Sequence, residues 1–111
     1  MTWPRRQNKF GAVKTTVDGE RFDSKHEAAR WRELVLLERA GEIQCLERQV
    51  RYLLVVNGVQ VTSYRPDFCY VVTATGEAIT EDAKATPTRT EAYVIRRKLM
   101  QALHSIVITE V

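Results

Sequence analysis

PDFCYVVTATGEAITEDAK, residues 66–84, contains two strand-forming runs on either side of a Thr-Gly turn. The apolar, β-branched and aromatic residues of 68–72 and 78–84 favour strands, and Thr75-Gly76 favours a turn between them. Because side chains alternate faces along a strand, Asp82 and Lys84 are expected on one face and Glu81 on the other. If the two strands are neighbours, Asp67 lies beside Asp82. The stretch therefore predicts a hairpin that brings two carboxylates and one ammonium together.

Upstream of this hairpin, the pattern predicts two further hairpins and a helix. Asn57-Gly58 joins the apolar runs 50–56 and 59–64, and Asp18-Gly19 follows a short alternating run; both pairs are strong hairpin turns. Ser24 followed by Glu27 forms a capping box that opens a helix over residues 24–40, with Gly41 as its stop. A strand begins at Ile43. We expect residues 50–84 to form one continuous meander.

Downstream, a second helix and a last strand complete the chain. Ala85-Thr86-Pro87-Thr88 breaks the strand pattern, and apolar residues recur at helical spacing from about Thr90 to Leu103. The apolar run 106–108 predicts a final strand. The fold class expected is therefore α/β (α+β): a single compact domain with a mixed sheet flanked by two helices, plus an N-terminal hairpin. We expect a basic, flexible arm over residues 1–12 and the domain over residues 13–111.

The composition restricts the kinds of functional site that the chain can form. The 111 residues contain two cysteines and two histidines, which cannot form a disulfide framework or a four-cysteine zinc site. Cys45 and Cys69 lie in apolar sequence and are expected to be buried, reduced thiols. No window is apolar enough to span a membrane, and the N-terminus is unlike a signal peptide, so a cytoplasmic protein without membrane contact is expected. Carboxylates must therefore carry any chemistry.

The positive charge is placed unevenly. The net charge is +3, and residues 1–14 contain Arg5, Arg6, Lys9 and Lys14 without a single acid, ahead of a nearly neutral body. Such an arm favours a polyanionic partner such as DNA, since neutralising phosphates drives affinity for nucleic acid. A solvated tail that binds no partner explains this charge distribution equally well.

Asp67 and Asp82 form the candidate metal site. Two adjacent carboxylates repel unless a cation lies between them, and Mg²⁺ suits one or two carboxylates plus a carbonyl, here the backbone carbonyl of Ala83. Such an ion assists phosphodiester hydrolysis, and Lys84 is placed to orient or deprotonate the attacking water. Glu27 is a candidate accessory ligand, direct or through water, although its capping-box position explains it structurally as well.

These residues resemble the PD-(D/E)XK nuclease superfamily, in the order Glu27, Pro66-Asp67 and Asp82-Ala83-Lys84. The resemblance implies an αβββαβ restriction-endonuclease-like core and catalytic roles for Glu27, Asp67, Asp82 and Lys84. More narrowly, segments from about Lys9 to the last residue resemble a small uncharacterised family found in phages and prophages. The arrangement is also similar to the phage junction-resolving endonuclease I, which implies branched DNA as substrate and a bacterial host cell as location.

The resulting hypothesis is a metal-dependent DNA endonuclease that uses Mg²⁺, with Mn²⁺ able to substitute, and acts as a homodimer because cutting two strands needs two sites. Glu81 is expected to have a structural or surface role. Gln49 is a candidate neighbour of the metal, with a solvated strand end as the favoured alternative. Two other functions stay open: a catalytically inactive nucleic-acid-binding accessory protein, and an interaction domain in which the site residues form a surface ion pair. The candidate DNA-binding residues, which could equally be a solvated face, are Arg5, Arg6, Lys9, Lys14, Lys25, Arg89, Arg96, Arg97 and Lys98.

Overall fold

The helices and strands follow the predicted order of hairpin, helix, strands, helix and strand. The computed structural model describes residues 15–17, 20–83 and 90–111, with side chains from Arg21 onward. Within these residues the helices are α1 (Lys25–Arg39) and α2 (Glu91–His104). The strands are β1 (Thr15–Val17), β2 (Glu20–Phe22), β3 (Ile43–Arg48), β4 (Tyr52–Val56), β5 (Val59–Tyr64), β6 (Phe68–Val72), β7 (Ala78–Asp82) and β8 (Ile108–Glu110).

α1 begins at its predicted cap, and α2 begins at the predicted position, with Thr90 as its cap. The Ser24 hydroxyl accepts a hydrogen bond from the backbone N–H of Glu27 at 3.1 Å, and the Thr90 hydroxyl accepts one from Tyr93 at the same distance. Gly41, with φ of 79°, follows α1, as the stop signal predicts. Neither helix of the described residues is long and apolar enough to cross a membrane.

The main sheet has four strands in the order β3-β6-β7-β8. β6 pairs antiparallel with β3 and β7, whereas β8 runs parallel to β7, so the sheet is mixed as predicted. A parallel neighbour needs a long crossover connection, which α2 supplies. The predicted α+β class is therefore confirmed, and so is the N-terminal hairpin, in which β1 and β2 pair antiparallel.

The expected continuous meander is wrong. β4 and β5 form a separate two-stranded sheet, and β6 pairs with β3 instead of β5. The hairpin itself is confirmed, because Asn57 and Gly58 both have positive φ, as a tight two-residue turn requires. The hairpin leaves the main sheet because its inner face, with Leu54 and Tyr64, is buried against α2.

The last two strands have boundaries in the structure that differ from the predicted ones. Ile106 still donates a backbone hydrogen bond to Met100 in the last turn of α2, and Ser105 closes the helix in a left-handed conformation. The final strand therefore begins at Ile108, which pairs with Thr80, and not at residue 106. The strand predicted over 78–84 ends at residue 82. Residue 84 lies outside the described residues, as do the arm and all four breaker residues, 85–88.

Two apolar clusters hold these elements together. The first lies between α1 and the main sheet, and its buried members are Phe22, Ala28, Leu34, Ile43, Phe68 and Tyr70. The second joins α2 to the β4–β5 hairpin and β8, and its buried members are Leu54, Tyr64, Tyr93, Met100 and Ile108. Trp31 is partly buried against the first cluster and stacks on Phe68 with ring centroids 5.8 Å apart.

The expectation that both cysteines are buried is wrong for Cys45. This residue is exposed, whereas Cys69 is half-buried. The pairing of β3 with β6 shifts between Gln44 and Glu47, and Cys45 has φ of 57° at this irregularity. A bulge of this kind interrupts the alternation of faces, so the apolar neighbours of Cys45 did not predict its exposure.

Candidate metal centre

Asp67 and Asp82 lie side by side where β6 begins and β7 ends. Phe68 pairs with Glu81, so the residues just outside this pair are brought together. The backbone N–H of Asp67 donates to Oδ1 of Asp82 at 3.1 Å, and the N–H of Ala83 donates to Oδ2 of Asp67 at 2.9 Å. The Asp82 carboxylate is thus tied to the backbone of Asp67, and the Asp67 carboxylate to the backbone of Ala83, the residue after Asp82. Their position follows directly from the hairpin register.

Gln49 holds Asp67 from the end of β3. Its backbone N–H donates to the Asp67 carbonyl, and its side-chain amide donates to Oδ1 of Asp67, both at 3.2 Å. Gln49 is half-buried and has φ of 57°, a conformation that costs energy for a residue with a side chain. The favoured interpretation of Gln49 as a solvated strand-end residue is therefore wrong. Its two hydrogen bonds fix the position and orientation of Asp67.

Glu27, in the first turn of α1, is buried next to this pair. Its side chain is almost wholly removed from solvent, at 4% exposure for the residue. Burial, followed by the negative charges of Asp67 and Asp23, raises the pKa of Glu27 to about 7, although Arg48 acts in the opposite direction. Glu27 also keeps its helix-capping contacts, since its backbone binds Ser24. The carboxyl therefore belongs to a crowded cluster of negative charge.

Arg48 is a cation of this cluster that the sequence analysis missed. One guanidinium nitrogen lies 3.5 Å from Oε1 of Glu27, and the group lies over the Phe22 ring at 4.0 Å. It also donates to the Arg21 carbonyl at 3.1 Å. The irregularity in β3 hides this orientation, because strand alternation counted from Ile43 no longer holds beyond it.

Glu81 faces the opposite side of β7, as strand alternation predicts. It is 1% exposed and receives two hydrogen bonds from Arg30, Nε to Oε1 at 2.9 Å and Nη2 to Oε2 at 2.6 Å. The Tyr70 hydroxyl donates to the same carboxylate. Burial and this negative charge raise the pKa of Tyr70 to about 12, and the bonded carboxylate raises that of Arg30. Glu81 is a structural carboxylate inside the first cluster.

The donor set suits a hard divalent cation. Carboxylate oxygens are the ligands that Mg²⁺ prefers, and one or two carboxylates with several waters are its usual protein site. Within residues 15–17, 20–83 and 90–111, no group of three Asp, Glu, His or Cys side chains is arranged so that it could hold a metal ion as it stands. Mg²⁺ binds oxygen ligands of the kind that Asp67, Asp82, Glu27 and the Ala83 carbonyl supply. A cation bound there would offset the negative charge around Glu27.

One basic residue of α2, Arg97, is linked to this cluster through β8. β8 pairs Glu110 with Asp82, and Arg97 reaches Oε1 of Glu110 at 3.5 Å. Arg96 donates to the Thr62 hydroxyl at 3.2 Å, whereas Lys98 is exposed. The remaining described candidate, Lys25, is exposed in the first turn of α1.

Five of the candidate DNA-binding residues, together with the candidate catalytic lysine, lie outside the described residues. They are Arg5, Arg6, Lys9, Lys14, Arg89 and Lys84. Their roles therefore stay predictions from the sequence.

Comparison with known proteins gives one match. No curated protein and no solved structure matches the chain significantly. The match is to a family model that covers residues 7–109, which include the predicted domain almost entirely. The chain therefore belongs to the family described as "Protein of unknown function (DUF1064)".

Proposed function

We propose that this chain is a Mg²⁺-dependent DNA endonuclease that hydrolyses phosphodiester bonds. The observation that supports it is the juxtaposition of Asp67 and Asp82, with Glu27 beside them, whose pKa is raised to about 7 by burial and then by the charge of Asp67. Folding alone does not reward such crowding of carboxylates, because like charges disfavour each other's ionised forms. A divalent cation bound between these carboxylates would offset their mutual repulsion.

Each residue has a distinct role in this proposal. Asp67, Asp82, the Ala83 carbonyl and Glu27, directly or through water, would hold the ion. When bound, Mg²⁺ polarises the phosphate and stabilises the charge that develops on it. Gln49 and the Ala83 N–H fix the orientation of the Asp67 carboxylate by hydrogen bonds to its two oxygens. We assign Lys84 to orienting or deprotonating the attacking water.

The exposed cations would position DNA. Lys25 and Lys98 are exposed, and Arg97 is linked through Glu110 to the strand position beside Asp82. Contacts of this kind bind phosphates without reading sequence. We extend the proposal to the arm, to branched DNA as the preferred substrate and to the cytoplasm of a phage-bearing bacterium, on the basis of the resemblance in sequence.

The test is a cleavage assay on three DNAs: supercoiled plasmid, linear duplex and a synthetic four-way junction. Each is incubated with Mg²⁺, Mn²⁺ or EDTA, using the wild-type chain, Asp82→Asn and the exposed control Glu77→Gln. We expect cutting that needs the metal, disappears in Asp82→Asn and persists in Glu77→Gln. A folded wild-type protein that cuts none of these DNAs contradicts the proposal.

A catalytically inactive nucleic-acid-binding protein is the second candidate. It is favoured by the absence, among the described side chains, of three converging metal ligands. Such a protein would shift the junction on a gel equally with Mg²⁺ and with EDTA, and its affinity would fall steeply with salt. Metal dependence therefore separates the two functions.

A further inference from the structure

Two arginines face each other at the end of the β4–β5 hairpin that lies away from its turn. Tyr52 pairs with Tyr64 in this hairpin, so the residues just outside the pair, Arg51 and Arg65, are brought opposite each other. Both are exposed, and we call them the arginine pair. Strand alternation, continued by one residue, places both on the outer side of the hairpin, because Tyr52 and Tyr64 belong to the inner side that packs against α2.

No acidic side chain balances the arginine pair. Residues 48–66 contain three arginines and no Asp or Glu. Among the described residues, neither member of the pair forms an ion pair, whereas Arg30, Arg48 and Arg97 each do. Like charges directly opposite each other on two strands repel, and an anion bound between them would offset this repulsion. The arginine pair is therefore a candidate anion-binding site.

The arginine pair lies beside the candidate metal centre. One residue separates Arg65 from Asp67, and one residue separates Arg51 from Gln49. Gln49 donates a hydrogen bond to the Asp67 carboxylate, so both chain segments lead from the pair to the same carboxylate. Two residues of chain span at most about 7 Å, which places an anion held by the pair close to the proposed metal ion.

We infer that the arginine pair binds one phosphodiester of DNA, next to the phosphodiester that the metal centre would cleave. Arginine suits this ligand, because its planar guanidinium can donate two parallel hydrogen bonds to the oxygens of one phosphate. Successive phosphates of one strand rise about 3.4 Å along the DNA axis, so the bound phosphate lies one or two nucleotides from the phosphate at Asp67. Such a contact positions the strand without reading its sequence.

This inference rests on the proposed function for its ligand, and it adds a binding site on a different element from the basic arm and α2. The sequence analysis did not identify the two arginines, because only the pairing of β4 with β5 brings them together. A strand held by the arginine pair would be directed across the Asp67 carboxylate.

The test is a fluorescence-anisotropy titration of labelled duplex and four-way-junction DNA with the full chain, in EDTA and at several salt concentrations. It compares the wild type with Arg51→Gln, Arg65→Gln and the double variant. Arg39→Gln is the matched control, because Arg39 is exposed in the last turn of α1, about 18 Å along the helix from Glu27. EDTA prevents metal-dependent cleavage, so DNA binding is measured apart from catalysis.

We expect each single variant to weaken DNA binding at least about 5-fold, and the double variant to reduce the salt dependence of log K by about 0.9, the value for one phosphate. Two arginines that bound separate phosphates would reduce it by about 1.8. Arg39→Gln should leave both quantities unchanged. Melting temperatures should not fall in Arg51→Gln or Arg65→Gln, since the two charges repel each other in the folded protein.

Three outcomes would overturn the inference. One is a wild-type chain that binds neither DNA, or whose binding the double variant leaves unchanged. Another is a loss of binding in Arg39→Gln as large as in the single variants of the pair, which would indicate general charge attraction alone. The third is a salt dependence reduced by about 1.8 in the double variant, which would indicate two separate contacts.

Failure of this inference is distinguishable from failure of the proposed function. A chain that binds DNA through the arginine pair and cuts none of it with Mg²⁺ would contradict the nuclease and support the phosphate site. A chain that cleaves DNA, and whose double variant binds DNA as tightly as the wild type, would support the nuclease and contradict the phosphate site.

Discussion

Glu81 and Asp82 are consecutive residues of β7, and both are buried, yet their surroundings are opposite. On one face, Glu81 is neutralised by two hydrogen bonds from Arg30 and one from Tyr70. On the other, Asp82 binds the backbone of Asp67, a second carboxylate, and Glu27 adds a third whose pKa is raised to about 7. One face of the strand holds a single carboxylate bound by Arg30 and Tyr70, and the other holds three carboxylates together with Arg48.

The difference distinguishes two uses of a buried carboxylate. A buried charge that supports the fold needs a partner of opposite sign, and removing that partner is costly. Carboxylates that are gathered disfavour each other's ionised forms, and the proposed Mg²⁺ would offset this repulsion.

The largest expected effect is on catalysis. Asp82→Asn and Lys84→Ala should each lower DNA cleavage by at least about 100-fold, because they remove a metal ligand and the group assigned to the attacking water. Glu81→Gln, the neighbouring change, should lower stability but leave cleavage by the folded protein within about threefold. Single-turnover cleavage measured beside circular dichroism checks both. Unchanged cleavage in Asp82→Asn and Lys84→Ala would end the nuclease assignment.

Removing the partner of Glu81 should give the largest loss of stability. Arg30→Ala leaves a buried carboxylate without its cation and should lower the free energy of unfolding by about 3–5 kcal/mol. Glu33→Ala removes only the exposed end of the same network and should cost less than about 1 kcal/mol. Urea unfolding measures both. Equal effects from the two variants would contradict a structural role for the buried pair.

The third prediction concerns pH. Folded Glu27 holds its proton up to about pH 7, whereas the unfolded side chain loses it near its ordinary pKa of 4.5. The folded state therefore binds more protons in this interval, and the free energy of unfolding should fall as pH rises through it, by up to about 3 kcal/mol. Glu27→Gln should lack this fall. Urea unfolding at pH 5 and pH 8 compares the two, and parallel profiles would rule out the raised pKa.

A smaller effect is expected at Gln49. Gln49→Ala removes the amide that orients Asp67 and should raise the Mg²⁺ concentration needed for half-maximal cleavage by roughly 10-fold. Gln44→Ala changes an exposed glutamine of the same strand and is the matched control. Cleavage measured against Mg²⁺ concentration distinguishes them. If both variants need the same Mg²⁺ as the wild type, Gln49 has no positioning role.

The smallest effect is expected at Lys98. Lys98→Ala should weaken DNA binding only a few-fold and reduce the salt dependence of log K by about 0.9, the value for one phosphate contact. Its side chain is exposed, so stability should not change. Gel-shift titrations at several salt concentrations check this prediction. A salt dependence equal to that of the wild type would leave Lys98 as part of a solvated helix face.

Local signals explain what could be predicted from the sequence. The cap at Ser24, the start of α2 near Thr90 and the Asn57-Gly58 turn each depend on a few neighbouring residues, and each is confirmed. Asp67 lies beside Asp82 because a short hairpin relates them, so alternation and register suffice to place them together.

Features that depend on distant parts of the chain could not be predicted. The separation of the β4–β5 hairpin from the main sheet depends on packing against α2, far along the sequence. Arg30 and Glu81 are 51 residues apart, and no spacing rule relates them. Gln49 and Arg48 follow the irregularity in β3, where alternation fails. The start of the last strand depends on which of its residues is the first to pair with β7.

The most direct measurement is calorimetric titration of the metal-free protein with Mg²⁺ and with Mn²⁺ at pH 6.5, in two buffers of different ionisation enthalpy. Near this pH part of Glu27 is protonated, so binding at the carboxylates should release protons and the observed heat should depend on the buffer. Binding should disappear in Asp82→Asn and persist in Glu77→Gln. A folded wild-type protein that binds neither ion at millimolar concentration, or an Asp82→Asn variant that binds them as tightly, would contradict a metal site at these carboxylates.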